Sequence, residues 1–281
     1  MGVVKDIMTK KVVTCLPTAT ILEVRKLIVD HRISRVVVVN TKNESLGIVT
    51  QKDIVDYLII DKSRRDLEEI QAEEVMSKDL VTIKPFAFIS DAAKTMIEKK
   101  ISSLVVVNED GNLEGIVTKA DLGLHLGSKG AGTHSVQDFM TWNPITITPS
   151  HSIFLAVSLM SEHEISRVVV IDKEEKPIGI ITLTDATIVS SLLKPAKILE
   201  KKKPIFVKGF ITLPKSIHLL TAEDIMTIHP ISIGKNADLA DAARLMTRHA
   251  ISGIPVVDNS GKLVGIVTKS DLTRAVASMK E

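Results

Sequence analysis

The fold is decided by the segment Gly265-Ile266-Val267-Thr268-Lys269-Ser270-Asp271, because the chain carries three further copies of its pattern. Gly-Ile-Val-Thr also occurs at residues 47–50 and 115–118, and Gly-Ile-Ile-Thr occurs at residues 179–182. In every copy an aspartate stands three positions after the threonine, giving Asp53, Asp121, Asp185 and Asp271. A pattern that occurs four times indicates four repeated structural units.

Two further landmarks keep the same place in every copy. A methionine lies 39 residues before each glycine, and an Ile-Ser pair places its serine 26 residues after that methionine. The methionines are Met8, Met76, Met140 and Met226, and the serines are Ser34, Ser102, Ser166 and Ser252. The steps between methionines are 68, 64 and 86 residues, so the units are constant while the linkers vary. This favours small domains over a continuous solenoid.

Each unit reads as strand, helix, strand, turn, strand and helix, which gives a mixed α/β (α+β) fold class. In the fourth unit, β-branched residues at 231–233 predict a short strand, and the apolar spacing within 239–246 predicts a helix. The unbroken apolar run Ile254–Val257 predicts a strand that is buried on both faces, as in a sheet covered by helices. One such unit is marginally stable alone, so we expect two units to pair and bury the open face of each small sheet.

The linkers place the boundaries. We expect units at residues 1–60, 68–127, 133–192 and 220–281, grouped into two pairs, 1–127 and 133–281. The glycine-rich stretch Gly127–Thr133 predicts a flexible boundary between the pairs. A basic, proline-containing insert at 193–219 separates units three and four, and the wider segment Thr187–Glu223 holds seven lysines and two glutamates, a charge of +5. Such an insert either carries a functional surface or extends the fold by a strand or helix.

Composition excludes several classes of protein. Of the 281 residues, 44% are hydrophobic and 25% are charged, as in a globular chain and unlike a disordered one. Aromatic residues make up 3% and the net charge is +2, so we expect neither a base-stacking platform nor a strong basic field. The single Cys15 excludes an intramolecular disulfide and a zinc site with several thiolates. Without a membrane-length apolar run or a secretory signal, we expect a cytoplasmic protein.

These landmarks resemble the CBS domain, a small module named after cystathionine β-synthase. The fourth unit is the most similar, through Ile251-Ser252-Gly253-Ile254-Pro255-Val256-Val257-Asp258 and the segment that begins at Gly265. The resemblance covers nearly the whole chain and implies two CBS pairs, each with two clefts at a pseudo-twofold interface. It implies that the clefts bind adenosyl ligands: AMP, ADP or ATP, with S-adenosylmethionine or a cyclic dinucleotide as alternatives. Because CBS pairs usually stack into a flat disc of four units, it also implies a monomer or a loose homodimer.

The resemblance assigns roles to particular positions. The aspartate of the repeated segment holds the ribose hydroxyls, and its threonine contacts phosphate. These roles fall on Thr50 and Asp53, Thr118 and Asp121, Thr182 and Asp185, and Thr268 and Asp271. The residue six positions after each methionine lies near the same ligand, and these residues are Thr14, Thr82, Thr146 and Ser232. Pro255 lies near the base in the fourth unit, and Val37, Val105 and Val169 replace it in the others.

Two alternatives stay open for these residues. Thr-x-x-Asp at a helix start is also a capping-box pattern, in which both residues satisfy the helix N-terminus. Arg35 and Arg167 follow the Ile-Ser pair in units one and three, where units two and four have Ser103 and Gly253. An arginine at this place either binds the phosphate of the neighbouring cleft or is a solvated residue at a strand start. The alternation indicates a duplicated pair whose two clefts are unequal.

The sequence predicts a non-enzymatic protein that senses adenine nucleotides and signals to a protein partner. The four units account for the chain, and we find no further constellation of acid, base or nucleophile that indicates catalysis. The alternative is an interaction protein whose basic insert docks a protein or an RNA-containing assembly. His31, His163 and His249 lie near predicted helix ends and are interpreted as caps or solvated residues rather than metal ligands.

Overall fold

The computed structural model describes residues 2–60, 65–185 and 220–279. The chain divides into two compact parts, Met1–Leu126 with Leu272–Glu281, and Gly127–Asp271. The first part contains units one and two, and the second contains nearly all of units three and four. Of the basic segment Thr187–Glu223, residues 187–219 lie outside the described residues, and so does the whole predicted insert at 193–219.

Every unit repeats the same strands and helices. The first strand is Thr14–Cys15, Thr82–Ile83, Thr146–Ile147 or Ile233–Gly234, and the core helix is Ile21–Asp30, Ile89–Glu98, Ile153–Glu162 or Leu239–Arg248. The central strand is Arg35–Val39, Ser103–Val107, Arg167–Ile171 or Gly253–Val257, and the last strand is Ser45–Thr50, Leu113–Thr118, Pro177–Thr182 or Leu263–Thr268. The closing helix is Gln51–Ile60, Lys119–Lys129 or Lys269–Ser278; in unit three, residues 183–185 are helical where the described range ends. The predicted order of elements is confirmed.

In each unit the central strand lies between the other two strands. The first strand runs parallel to it, with Thr14 opposite Val37, and the last strand runs antiparallel, with Arg35 opposite Thr50. The same antiparallel register pairs Ser103 with Thr118, Arg167 with Thr182, and Gly253 with Thr268. This register sets the residue after each Ile-Ser pair beside the threonine of its own Thr-x-x-Asp segment.

The core helix of the first unit begins at a complete capping box. The N–H of Glu23 donates to the hydroxyl oxygen of Thr20 at 3.2 Å, and the N–H of Thr20 donates to the Glu23 carboxylate at 2.7 Å. Its apolar residues recur at helical spacing, so they share one face and are buried: Ile21, Val24 and Ile28. The helix therefore covers one face of the small sheet.

The central strand of unit one is buried on both faces, by different partners. Val36 and Val38 pack in the core that contains the first unit's helix. Val37 and Val39 face the other way, into a second apolar cluster shared with the central strand of unit two. This strand is buried on both faces, as the sequence predicts for the equivalent run in unit four. Helices cover only one face, because the sheet of the paired unit covers the other.

The segment that leads into each unit packs against the other unit of its pair. Short helices that the sequence reading did not predict precede the landmark methionines, at Val4–Ile7, Ala72–Val75, Val136–Phe139 and Ala222–Ile225. The N–H of Val4 donates to Ala87 O at 2.9 Å, and the N–H of Ala72 donates to Ala19 O at 2.8 Å. Ile70 and Ala72 are fully buried in the core of unit one, although they belong to the segment that begins unit two. The two units of a pair therefore complete each other's cores.

In the second pair, the segment that leads into each unit also adds a short strand to the sheet of the other unit. Thr141–Trp142 pairs with the last strand of unit four, with Trp142 opposite Gly265. Thr227–Ile228 pairs with the last strand of unit three, with Ile228 opposite Gly179. Both sheets of this pair consequently have four strands, whereas those of the first pair have three.

Candidate functional site

Each Thr-x-x-Asp segment lies where the last strand ends and the closing helix begins. In all four units the threonine N–H and the threonine hydroxyl both donate to Oδ2 of the aspartate, at 2.6–2.8 Å. In the first unit the N–H of Asp53 donates in return to the Thr50 hydroxyl oxygen at 3.2 Å. The capping alternative is therefore realised in the structure.

Capping does not occupy both oxygen atoms of these carboxylates. The hydrogen bonds described for Asp53, Asp121 and Asp185 all reach Oδ2, so Oδ1 of each carboxylate keeps its capacity to accept from a ligand. Burial raises the pKa of Asp121, while hydrogen bonds from Thr118 and the charge of Arg35 oppose the rise. Asp271 is only 2% exposed, whereas the other three aspartates are half-buried. Asp53, Asp121 and Asp185 can therefore cap the helix and accept from a ligand at the same time.

Arg35 crosses from the first unit to the second. Its Nη1 donates to Ser102 Oγ at 3.1 Å, while its Nη2 and Nε donate to Ser34 Oγ at 3.0 and 3.2 Å. Burial lowers the pKa of Arg35, and the negative charges of Asp121 and, less strongly, of Asp53 oppose this effect. The guanidinium thus lies within electrostatic reach of both Thr-x-x-Asp segments of the pair. The guanidinium is partly exposed and is held by the serines of both units.

Arg167 repeats the arrangement in the second pair. Its Nη2 donates to Ser166 Oγ at 3.1 Å and to Ser252 Oγ at 3.0 Å, so it too is held by the serines of both units. Its guanidinium occupies the space beside Gly253, where a Cβ would collide with Nη1. Burial lowers the pKa of Arg167, and the charge of Asp271 opposes this effect. The glycine in unit four therefore leaves room for the arginine of unit three.

The positions six residues after the methionines lie at the start of the sheet. Thr14, Thr82 and Thr146 each begin the first strand of their unit, whereas Ser232 comes one residue before it. Pro255 explains this shift. In unit one the N–H of Val37 donates to Val13 O at 3.3 Å, and a proline has no N–H with which to make the equivalent bond.

The structure brings some predicted residues together and leaves others apart. Arg35 joins Asp53 and Asp121 in one electrostatic group, and Arg167 joins Asp271. In the described part of the chain, no hydrogen bond links Thr14, Thr82, Thr146 or Ser232 to these groups. The serines of the Ile-Ser pairs are the partners that the sequence reading left without a role. Their recurrence at a fixed offset was the signal for that role.

The histidines are helix caps. His31, His163 and His249 each occupy the C-cap of a core helix, and their backbone N–H groups donate to the carbonyl four residues earlier at 3.0–3.1 Å. Each histidine therefore stands at the end of its core helix, where the sequence places it. Within residues 2–60, 65–185 and 220–279, no helix has the length and apolar character needed to cross a bilayer.

The geometry of four sheets, paired by exchanged segments, agrees with the comparison of the sequence with known families. The sequence profile of the CBS domain matches residues 4–60, 72–124, 136–190 and 222–278. The chain belongs to the CBS domain family. The resemblance noted from the repeated segments is confirmed, and the units are four CBS domains in two pairs.

Two relatives from Methanocaldococcus jannaschii extend over nearly all of this chain. The protein MJ1225 is 28% identical over an alignment of 287 positions, which covers 98% of this chain and 99% of the relative. Its crystal structure, presented as a candidate archaeal homologue of g-AMPK, matches with a TM-score of 0.75 and 26% identity over 98% of this chain and 99% of the solved one. The protein MJ1404 is 30% identical over an alignment of 283 positions, which covers 99% of this chain. The chain spans 62% of the length of MJ1404.

A further relative carries the name of an enzyme. The homoserine O-acetyltransferase of Methanohalobium evestigatum is 34% identical over 119 residues, which are 42% of this chain and 24% of that protein. The similarity thus covers less than half of this chain and about a quarter of the enzyme.

Proposed function

We propose that this protein is a non-enzymatic sensor of adenine nucleotides, with AMP, ADP, ATP or a related adenosyl compound as its ligand. The observation that carries the proposal is the group formed by Arg35 of one CBS domain and Asp121 of its partner. The guanidinium of Arg35, which suits a phosphate, donates to Ser102 of the partner domain at 3.1 Å, and the charge of Asp121, whose carboxylate suits a ribose diol, acts on it. Both belong to positions that bind ligand in the CBS family.

The remaining site residues complete a cleft of this kind. The Oδ1 atom of the aspartate would accept hydrogen bonds from the ribose hydroxyls, while Oδ2 stays in the helix cap. Thr50, Thr118, Thr182 and Thr268 would contact phosphate, and Thr14, Thr82, Thr146 and Ser232 would line the same ligand. Pro255 would lie against the base in the fourth domain. Each role is carried over from the family to the matching position of this sequence.

A ligand held by two domains can act as a signal. Since Arg35 hydrogen-bonds Ser102 of the neighbouring domain, a phosphate that recruits this guanidinium alters a contact between the two domains of the pair. The ligand shifts the population of domain arrangements only by its difference in affinity for them. We propose that a protein partner reads this shift, and that the basic segment Thr187–Glu223 takes part in the contact.

Calorimetric titration of the whole chain tests the proposal. The panel would contain AMP, ADP, ATP, adenosine and S-adenosylmethionine, with GMP as a control for the base. We expect stoichiometric binding of at least one adenine nucleotide and much weaker binding of GMP. If no adenosyl compound binds at concentrations up to the millimolar range, the sensor function is wrong, and the CBS pairs serve as a scaffold.

A further inference from the structure

The two clefts of each pair differ in charge, and two separate sequence positions contribute to this difference. The crossing arginine stands in domains one and three, as Arg35 and Arg167, while Ser103 and Gly253 hold the same strand position in domains two and four. The partner domain's Thr-x-x-Asp segment therefore faces a guanidinium only when it belongs to domain two or four. This asymmetry goes beyond the proposed function and rests on it.

A second, independent position alternates in the same way. The residue directly after the threonine, which begins the closing helix, is Lys119 in domain two and Lys269 in domain four. The same place holds Gln51 in domain one and Leu183 in domain three, and Leu183 is 44% exposed. The Thr-x-x-Asp segments of domains two and four, towards which the arginines of domains one and three extend, therefore carry an additional positive charge.

The contacts of the arginines agree with this direction. Nη1 of Arg35 donates to Ser102 of domain two, and the charge of Asp121 acts on the guanidinium more strongly than that of Asp53. In the second pair Arg167 donates to Ser252 of domain four, and its guanidinium lies against Gly253 of that domain. The carboxylate named as acting on it is Asp271. Both arginines therefore reach the partner domain, although the register also sets each of them opposite the threonine of its own segment.

From these contacts we infer that each CBS pair binds one phosphorylated nucleotide, at Asp121 in the first pair and at Asp271 in the second. The Asp53 and Asp185 segments receive no arginine from the partner domain and have no lysine directly after the threonine, although Lys52 stands one position later in the first of them. We infer that these two segments suit an adenosyl ligand without phosphate. A phosphate placed next to a carboxylate is repelled by its negative charge. Two cations at the same cleft offset this repulsion. The chain therefore holds two anionic nucleotides.

The test compares AMP with adenosine, which share base and ribose and differ in the phosphate. Calorimetry on the full chain is expected to show two tight AMP equivalents. Arg35→Gln should weaken one of them by about ten- to a hundredfold, the range for loss of hydrogen bonds to a charged group, while the affinity for adenosine changes little. Arg167→Gln should weaken the other, and the double variant both. Arg35→Lys keeps the charge and should retain part of the preference for AMP.

Two controls guard against misfolding. Arg25 is an exposed arginine on the core helix of the same domain, so Arg25→Gln removes an equal charge and should leave both AMP equivalents intact. In each single arginine variant, the AMP site of the other pair reports on the folded state of the chain. Four AMP sites of equal affinity, or an unchanged AMP-to-adenosine ratio in both variants, would overturn the inference and leave nucleotide sensing standing. Absence of binding by AMP and adenosine alike would overturn the sensor function itself.

Discussion

The sulfur of Met140 lies against the backbone of Gly265, on the last strand of the other domain of its pair. A Cβ on Gly265 would be 2.6 Å from this sulfur and 3.0 Å from the carbonyl oxygen of Thr141. The contact recurs with every landmark methionine: Met8 meets Gly115, Met76 meets Gly47, and Met226 meets Gly179. The methionine and glycine of the repeat thus form a contact between the two domains of a pair.

This contact predicts that Gly265→Ala destabilises the protein. The added methyl group has no room unless Met140 or the backbone at Thr141 moves, and overpacking of this kind costs about 1–3 kcal/mol. The free energy of unfolding from urea denaturation measures the effect. Gly234→Ala in the same domain is the matched control, because nothing lies within 4 Å of the Cβ position there. Equal stability of the two variants would show that the methionine does not fix the approach of the strands.

The same contact marks the limit of the sequence reading. The order of strands and helices follows from apolar spacing, and the capping boxes follow from Thr-x-x-Asp, because both are local. The methionine and the glycine keep a constant spacing of 39 residues within each unit, yet Met8 packs on Gly115 and not on Gly47. Because the spacing is identical in all four copies, it does not show against which unit's glycine each methionine packs. That choice depends on the burial gained when two units pair.

The candidate site likewise combines residues that the sequence predicts with contacts that only the structure shows. Its aspartates and threonines belong to one continuous motif and were found from the sequence. The bond from Arg35 to Ser102 joins residues 67 positions apart in different domains, so only the paired structure shows it. The shift of the first strand at Ser232 likewise depends on a missing N–H at Pro255, which lies on the neighbouring strand.

Replacing Asp121 by Ala should lower both nucleotide affinity and stability. Loss of a charged hydrogen bond to the ribose weakens AMP binding by about ten- to a hundredfold, and loss of the cap at Thr118 costs about 1 kcal/mol. Calorimetry and urea denaturation measure the two effects separately. In Asp138→Ala, a similar box with Ser135 is removed at an exposed side chain of the short helix Val136–Phe139, and AMP binding should not change. If Asp121→Ala lowers stability alone, the residue is only a cap.

Cys15 should react slowly with thiol reagents in the folded protein. Burial, assisted by the charge of Glu23, raises the pKa of its thiol to about 11. At pH 8 only about one molecule in a thousand then carries the reactive thiolate, compared with about one in ten for a thiol at the ordinary pKa of 9.0. Because a thiolate of higher pKa is intrinsically more nucleophilic, part of this loss is offset, and alkylation by iodoacetamide at pH 8 should be about tenfold slower than in the urea-unfolded chain. Equal rates in the folded and unfolded chains would contradict this.

Glu74 should titrate far below an ordinary glutamate. Arg65 Nη2 donates to its Oε2 at 2.8 Å, and this bond, followed by the N–H of Gln71, lowers the pKa of Glu74 from 4.5 to about 2. The Tyr57 hydroxyl donates to the same oxygen at 3.1 Å, so the group fastens the closing helix of domain one to the segment that leads into domain two.

A carboxyl group whose pKa is lowered by folding stabilises the protein above its unfolded pKa. The contribution of Glu74 is thus complete above pH 4.5 and is lost as the pH falls towards 2. Arg65→Ala should raise the pKa of Glu74 towards 4.5, and it should reduce stability at pH 6 more than at pH 2. Carboxyl-carbon NMR follows the titration, and denaturation at the two pH values follows stability. Lys94→Ala is a comparison variant, since its ion pair with Asp91 is exposed and confined to one helix, and it should leave the Glu74 titration unchanged. A Glu74 pKa near 4.5 in the unaltered protein would exclude the Arg65 contact in solution.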